Sequence, residues 1–371
     1  MTETQAFRPD WVSHPGETIE DLLEEREWTQ AELARRTGFT RKHVNELVKG
    51  NAGISSDAAL RLESVLGSSA EFWMQRDSQY REAMQRRQHL DRLKADAEWL
   101  ETLPIGDMTR RGWIQRRRNK AEQVAECLKF FGVASVTAWR KQYEKPLVAF
   151  RASKAFDHSV GAIAAWVRQA ERQAQEIFCE PYDTNSFKST LQRLRRLTED
   201  ADPKSFVPTL VDLCAACGVA VVFVPTPKGC PASGATRWLS PHKALLVLSL
   251  RHKSNDHLWF TFFHEAGHLV LHSKKLQFID FEDGSEDQRE QEADRFARDL
   301  LIPLSATQEL EKLAAGGRVS KAQVLSFARR WQVAPGIVVG RMQKEGWLPW
   351  SHLNGLKVRY SWAGATERLS T

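Results

Sequence analysis

The chain has 371 residues, of which 42% are hydrophobic and 27% are charged. This length suffices for two or three domains with a sizeable core, and the hydrophobic share excludes wholesale disorder. The formal net charge of +6 is compatible with a polyanionic partner but is too small to predict one. The five irregularly spaced cysteines argue against a disulfide scaffold, and the longest apolar run is too short to cross a bilayer. We therefore expect a cytoplasmic protein that makes no membrane contact.

Short helices fill the N-terminal part of the sequence. The stretch Thr-Gln-Ala-Glu from Thr29 to Glu32 predicts a capping box, in which the Glu32 side chain bonds back to the N-cap residue. The helix that it opens stops at Gly38, and Thr40 caps a second helix that ends at Gly50. Two short helices joined by a glycine-containing turn are typical of a helix-turn-helix.

The second helix of this pair would lie in the major groove of DNA, with its first residues facing the base edges. Arginine and lysine suit guanine there, and asparagine suits adenine, whereas a side chain that opens the first helix would contact a phosphate. The candidate DNA-contacting residues are Gln30, Thr40, Arg41, Lys42, His43 and Asn45. Any three-helix bundle has similar turns, so the pattern alone leaves a purely structural role open.

A dense set of residues between positions 14 and 80 forms a family-like pattern: His14 to Glu17, Trp28 to Ala34, Arg41, Gly50, Ile54-Ser55, Ala58 to Leu62 and Glu71 to Trp73. Through these residues the segment resembles the XRE-type helix-turn-helix of HigA-like antitoxins. The resemblance implies that this domain binds operator DNA as a homodimer and represses its own operon. Lys42-His43 replaces the Pro-Thr that is common in the family, which leaves the operator sequence open.

The middle of the chain reads as a helical linker with a break at residues 103–106. Its most basic segment could contact nucleic acid, but we favour a solvated helix face or linker. The basic residues are Arg110, Arg111, Arg116, Arg117, Arg118 and Lys120.

Two apolar segments farther along predict strands, at residues 219–224 and 244–250. The second could present an edge to which an extended substrate adds. The pair Cys214 and Cys217 lacks the second Cys pair that a structural zinc site needs, so we predict that both are core residues.

The motif His264-Glu265-Ala266-Gly267-His268 lies in an apolar stretch that predicts a buried helix. Residues four apart share a helical face, so both imidazoles can bind one metal ion with Glu265 beside them. This arrangement is typical of a zinc hydrolase whose glutamate is the general base. We interpret His272, one turn farther on, as a helix-end histidine that is too distant to be a ligand. His272 and Arg341 are also candidate donors of hydrogen bonds to the oxyanion.

A catalytic zinc site needs a third protein ligand. Residues 290–302 have helical apolar periodicity, and on that helix Glu290 and Asp294 share a face. We predict that Glu290 binds the metal and that Asp294 bonds the far nitrogen of a ligand histidine, whereas Glu292 points about 160° away from Glu290. The acidic candidates considered were Asp280, Glu282, Asp283, Glu286, Asp287, Glu290, Glu292 and Asp294.

This second half of the sequence resembles the ImmA/IrrE family of zinc metallopeptidases. The shared residues are His264 to His268, Glu290, Asp294, Phe296-Ala297 and Leu300 to Pro303, with Ser233-Gly234 and Pro335 to Arg341. The resemblance covers roughly residues 160–362. It implies a Zn²⁺ cofactor, places the third ligand on Glu290, and implies cleavage of a regulatory partner protein, often a repressor. The family commonly has Asn where this chain has Asp294.

Together these features predict a multidomain fold, in which an all-α helix-turn-helix bundle and a helical linker precede an α+β, gluzincin-like zinc metallopeptidase domain. The function that we predict is an antitoxin-like autorepressor, nucleoid-associated when it binds DNA, with an endopeptidase that cleaves a regulatory protein. An alternative is a non-proteolytic repressor or antitoxin whose zinc-bearing domain senses a toxin, another partner or a ligand. A third is a peptidase that uses the helix-turn-helix only for protein docking. The predicted bounds are residues 1–15 for a tail, 16–85 for the bundle, 86–158 for the linker and 159–371 for the peptidase.

Overall fold

The computed structural model describes residues 13–145, 159–272, 278–280, 288–363 and 368–370. The chain divides into two compact units, one formed by the chain up to residue 97 with residues 119–125, and the other by residues 98–118 and the chain from 126 onward. The helices of the first unit up to residue 97 are α1 (Pro15–Glu25), α2 (Gln30–Thr37), α3 (Arg41–Val48), α4 (Ser56–Leu66) and α5 (Ala70–Ala95).

Helices α2, α3 and α4 of the first unit each begin at a residue whose side-chain oxygen caps the helix. Thr29, Thr40 and Ser55 each accept a hydrogen bond, 3.1–3.2 Å long, from the backbone N–H three residues later. Such caps satisfy one of the N–H groups that a helix leaves free at its start. Gly38 ends α2 with a φ of 73°, in the left-handed region that glycine adopts without strain. The predicted helix-turn-helix geometry therefore follows from local sequence.

The predicted capping box is wrong in its second half. Glu32 does not bond back to Thr29, because its carboxylate bonds Arg35 and Arg36 on its own helix, at 2.7 and 2.6 Å. These bonds lower the pKa of Glu32 to about 2. Arg36 also lies over the ring of Trp28, 4.0 Å from its centroid, so the start of α2 is held by a charge cluster and one side-chain cap.

The remaining described segments are mostly helical. Three 3₁₀ segments lie at Ala97–Thr102, Arg195–Glu199 and Asn354–Leu356, and a π-helical turn lies at Arg140–Glu144. The α-helices are α6 (Ile105–Arg110), α7 (Lys120–Phe131), α8 (Val136–Trp139), α9 (Val160–Glu176), α10 (Thr184–Leu194), α11 (Pro203–Ala215), α12 (Asn255–Leu271), α13 (Gln288–Leu301), α14 (Leu304–Ala315), α15 (Lys321–Trp331) and α16 (Pro335–Lys344). None of the helices in the described part of the chain combines the length and the apolar character that spanning a membrane requires.

A small mixed sheet lies at the centre of the second unit. Its strands are β1 (Val219–Phe223), β2 (Gly234–Ser240), β3 (Lys243–Leu248) and β4 (Phe278–Asp280), in the order β1-β3-β2-β4. β1 and β3 are parallel, and the other two pairs are antiparallel. Strands β5 (Ser361–Ala363) and β6 (Arg368–Ser370) form a separate antiparallel pair.

The sheet corrects one prediction about substrate binding. β3 pairs with β1 on one side and with β2 on the other, so it is an inner strand and presents no edge to a peptide. β2 was missed because its residues, Gly-Ala-Thr-Arg-Trp-Leu-Ser, neither form an apolar run nor alternate. Its strand conformation depends on the two neighbours with which it pairs.

The hydrophobic core of the second unit is formed by buried apolar residues of this sheet and of the helices that pack against it. Cys214 and Cys217 lie in it, both buried, which confirms their predicted role as core residues. Helix α16 packs closely on the first turn of α12 through two glycines. A Cβ atom on Gly336 would lie 2.5 Å from Asn255 Oδ1, and one on Gly340 would lie 2.6 Å from Asp256 Oδ2.

The basic segment is largely solvated, as predicted, with five of its six residues exposed. Arg110 pairs with Asp107 at 2.8 Å and Arg117 pairs with Glu126 at 3.0 Å. Arg111, which is partly buried, donates to the backbone oxygen of Thr226. These three cations therefore have partners within the second unit.

Candidate metal centre

Helix α12 positions the His-Glu-x-x-His motif in a dry environment. Its buried residues lie on nearly every side, which is the pattern of a core helix. His264 is 3% exposed, Glu265 is 0% exposed and His268 is 2% exposed. Buried polar groups of this kind need partners, and the neighbouring helix α13 supplies several of them.

Three donor atoms converge between α12 and α13. His264 Nε2 and His268 Nε2 are 3.0 Å apart, and Glu290 Oε2 lies 3.2 Å from the first and 3.5 Å from the second. Ligands about 2.0–2.2 Å from a tetrahedral zinc lie roughly 3.3–3.6 Å from one another. The three separations agree with that spacing within a few tenths of an ångström, so His264, His268 and Glu290 fit one metal ion.

The charge states of this group also suit a metal. Burial lowers the pKa of His268, so its imidazole is neutral near pH 7 and offers a lone pair. Burial raises the pKa of Glu290, but hydrogen bonds with His264 and His268 outweigh it and hold that pKa well below its usual range. The carboxylate is therefore ionised. Two imidazole nitrogens and one carboxylate oxygen form the donor set of a catalytic zinc site.

Each ligand histidine has a further partner on its outer nitrogen. His264 Nδ1 lies 2.8 Å from Asp294 Oδ1, the contact that the sequence predicted for Asp294. His268 Nδ1 lies 3.0 Å from His272 Nδ1, and His272 Nε2 lies 3.2 Å from Glu292 Oε2. His272 ends α12 in extended conformation, but it is also an outer contact of the centre, a role that sequence reasoning missed.

Glu265 lies on the side of α12 that faces β2. A Cβ atom on Gly234 would lie 2.8 Å from both Cγ and Oε1 of Glu265, and 2.6 Å from Thr261 Cγ2. Only glycine lets the strand approach the helix this closely. The sheet therefore encloses the carboxylate that the sequence predicts to be the general base.

The other candidate residues lie elsewhere or are not described. Asp280 ends β4 and pairs with Gly234 through the backbone register. Arg341, considered as an oxyanion donor, forms an ion pair with Glu345 at 3.0 Å on its own helix instead of joining the centre. The candidates outside the described residues are Glu282, Asp283, Glu286 and Asp287.

The predicted DNA-contacting residues lie at the starts of α2 and α3. Arg41 and Lys42 are exposed on the first turn of α3, and Asn45 is partly exposed one turn later. Thr40 caps the helix, and Gln30 opens α2. The His43 ring packs edge-on against Phe39, with centroids 4.9 Å apart, and this contact restricts the orientation of the ring.

Comparison with protein-family models gave two matches. A model described as helix-turn-helix matches residues 19–73, and one described as an IrrE N-terminal-like domain, of peptidase family M78, matches residues 218–343. No match was found among curated proteins.

Solved structures similar to this chain include two that were determined with operator or promoter DNA. PA4674 of Pseudomonas aeruginosa, in complex with its operator DNA, is 38% identical over 21% of this chain and 83% of its own, with a TM-score of 0.20. The P. aeruginosa antitoxin HigA, with the higBA promoter, is 32% identical over 23% of this chain and 94% of its own, with a TM-score of 0.22. A HigA-family antidote protein from Coxiella burnetii is 26% identical over 23% and 92%, with a TM-score of 0.21. This chain therefore carries an N-terminal helix-turn-helix domain, followed by an IrrE N-terminal-like domain that matches the family model of M78 peptidases.

Proposed function

We propose that this protein is an operator-binding, antitoxin-like autorepressor that carries a zinc-dependent endopeptidase directed at a regulatory protein. The observation that carries the enzymatic half is the convergence of His264, His268 and Glu290 beside the buried Glu265. Magnesium and calcium prefer all-oxygen sites, whereas two imidazoles and one carboxylate suit zinc. The DNA-binding domain and the peptidase domain lie in one chain, so we propose that the substrate is a regulatory protein.

The reaction that these residues support is hydrolysis of a peptide bond. A zinc ion bound by these residues would supply Lewis acidity, which would polarise a carbonyl and lower the pKa of water from about 15.7 toward ~7. Glu265 then takes the proton of the attacking water on its carboxylate and delivers it to the leaving amine. Asp294 holds His264 in one ring orientation through their 2.8 Å contact.

Glu265 distinguishes this proposal from a domain that only senses a partner. Burying a carboxylate carries a free-energy penalty unless it is compensated, and a sensing site that used the metal alone would need no such group beside its ligands. Here Glu265 is fully buried, and a strand glycine makes room for its side chain. A role in proton transfer would explain why a carboxylate is buried at this position.

The DNA-binding half depends on the first turn of α3. Arg41 and Lys42 are exposed there, and a recognition helix reads base edges through its early residues. PA4674 and HigA of P. aeruginosa were solved with operator or promoter DNA, which supports the same class of partner here. We also propose that the chain binds as a homodimer, since operator half-sites are read by paired helix-turn-helix domains.

A single substitution separates the functions. Glu265→Gln keeps the shape of the side chain but removes the base, so bound zinc and operator affinity should stay at wild-type levels while proteolysis is lost. The test compares newly formed protein N-termini, by mass spectrometry, in native cells that express either form. N-termini that depend on Glu265 would support the proposal. Identical sets of N-termini, with both proteins zinc-loaded, would refute the peptidase and leave the DNA-binding role standing.

A further inference from the structure

The outer side of the metal centre contains a chain of side chains that the proposed reaction does not use. It runs from His268 through His272 to Glu292, with contacts of 3.0 and 3.2 Å. The side chain of His272 is only 6% exposed. Gln288 donates to the other oxygen of Glu292 at 2.9 Å. This series of side-chain contacts therefore joins the end of α12 to the first turns of α13.

The chemistry of these atoms leaves one arrangement of protons. His268 directs Nε2 toward His264 and Glu290, and this nitrogen can bind a metal only with a free lone pair. The proton of the neutral ring is then on Nδ1, which donates to His272 Nδ1. His272 must accept there, so its own proton is on Nε2 and is donated to Glu292. An ionised carboxylate can only accept hydrogen bonds, so Glu292 fixes the donor-to-acceptor direction of both hydrogen bonds.

We infer that Glu292 and His272 are positioning residues, which hold His268 in the tautomer and ring orientation that bind zinc. The inference rests on the proposed function, because it requires a metal at this centre. His264 receives the same support directly from Asp294. His268 receives it through one intervening ring, since His272 directly follows the last residue of α12, four residues after His268. A carboxylate therefore holds His264 directly and holds His268 through the ring of His272.

Zinc affinity of the full-length protein tests this inference, measured by competition with a chromophoric chelator at constant neutral pH. Loss of an outer partner of a ligand histidine typically weakens metal binding about 10- to 100-fold, and we expect this range for Glu292→Ala and for His272→Phe. Glu292→Gln should weaken binding less than Glu292→Ala, because its amide oxygen can still accept from His272. Asp299→Ala is the matched control, since Asp299 is an exposed carboxylate on the same helix, and its zinc affinity should equal that of wild type.

The tautomer of His272 gives a second readout that a merely structural role would not change. In ¹⁵N-histidine NMR spectra of the zinc-loaded protein, we expect His272 to carry its proton on Nε2, and Glu292→Ala to abolish that preference. Wild-type zinc affinity and an unchanged His272 tautomer in Glu292→Ala would overturn the inference, while leaving the proposed metal centre intact. A wild-type protein that binds no zinc would overturn the metal centre itself, and this inference with it.

Discussion

Replacement of Gly234 by alanine tests how the sheet encloses the candidate base. The added methyl group would lie 2.6 Å from Thr261 Cγ2 and 2.8 Å from Cγ and Oε1 of Glu265, whereas carbon atoms in contact prefer about 3.5–4.0 Å. The strand has little room to retreat, because Gly234 pairs with Leu248 on one side and Asp280 on the other. Thr261 is β-branched and stiff at χ1, so the helix cannot yield easily either.

The expected cost follows from these contacts. Overpacking of this kind costs about 1–3 kcal/mol, and the lower unfolded-state entropy of alanine returns about 0.4–1 kcal/mol. We therefore expect Gly234→Ala to lower the free energy of unfolding by about 1–2 kcal/mol, measured by urea titration of the metal-free protein. Gly106→Ala is the control, since a Cβ atom there meets nothing within 4 Å.

A second substitution separates crowding at Glu265 from a general effect on the strand. Glu265→Ala removes two of the three crowded atoms, so the cost of Gly234→Ala should fall in that background. Such non-additivity is expected for residues in direct contact. An equal cost in both backgrounds, or a Gly234→Ala protein as stable as wild type, would refute the close approach of β2 to Glu265.

Three further predictions concern other parts of the chain. Gly340→Ala should destabilise by about 1–2 kcal/mol in the same titration, because its methyl group would lie 2.6 Å from Asp256 Oδ2; an unchanged midpoint would contradict this. Combined Arg41→Ala and Lys42→Ala should weaken binding to the promoter of its own operon by about 10-fold or more and flatten its salt dependence, as measured by fluorescence anisotropy; unchanged affinity would remove α3 as the reading helix. Burial and a neighbouring carboxylate raise the pKa of Tyr143, so the unfolded chain loses this proton from about pH 10 while the folded chain keeps it. Stability should therefore decline above about pH 10, and a decline equally steep in Tyr143→Phe would exclude this tyrosine as a source.

Features set by neighbouring residues in the sequence could be predicted. The caps at Thr29 and Thr40 follow from hydroxyl side chains placed before helix-forming segments. The shared face of Glu290 and Asp294 follows from helical periodicity alone, and the structure brings both to His264. In each case the predicted feature involves residues that are at most one helical turn apart in the sequence.

Features that depend on two distant segments could not be predicted. Strand β2 is a strand because β3 and β4 pair with it, and its own residues show no strand pattern. The contact of His272 with Glu292 requires the relative placement of α12 and α13, which no local pattern contains. The spacing of His264, His268 and His272 at successive turns was the available signal, but it did not show which partner the third ring would have.

If His264, His268 and Glu290 form a zinc site, the purified protein should contain zinc, and its metal content can be measured. Mass spectrometry of elements, on protein purified without added metal, should give about one zinc per chain for wild type and for Glu265→Gln. His264→Ala and Glu290→Ala should lose this zinc while remaining folded by circular dichroism. A folded wild-type protein that holds no zinc and takes up none when zinc is added would show that these three residues form no zinc site.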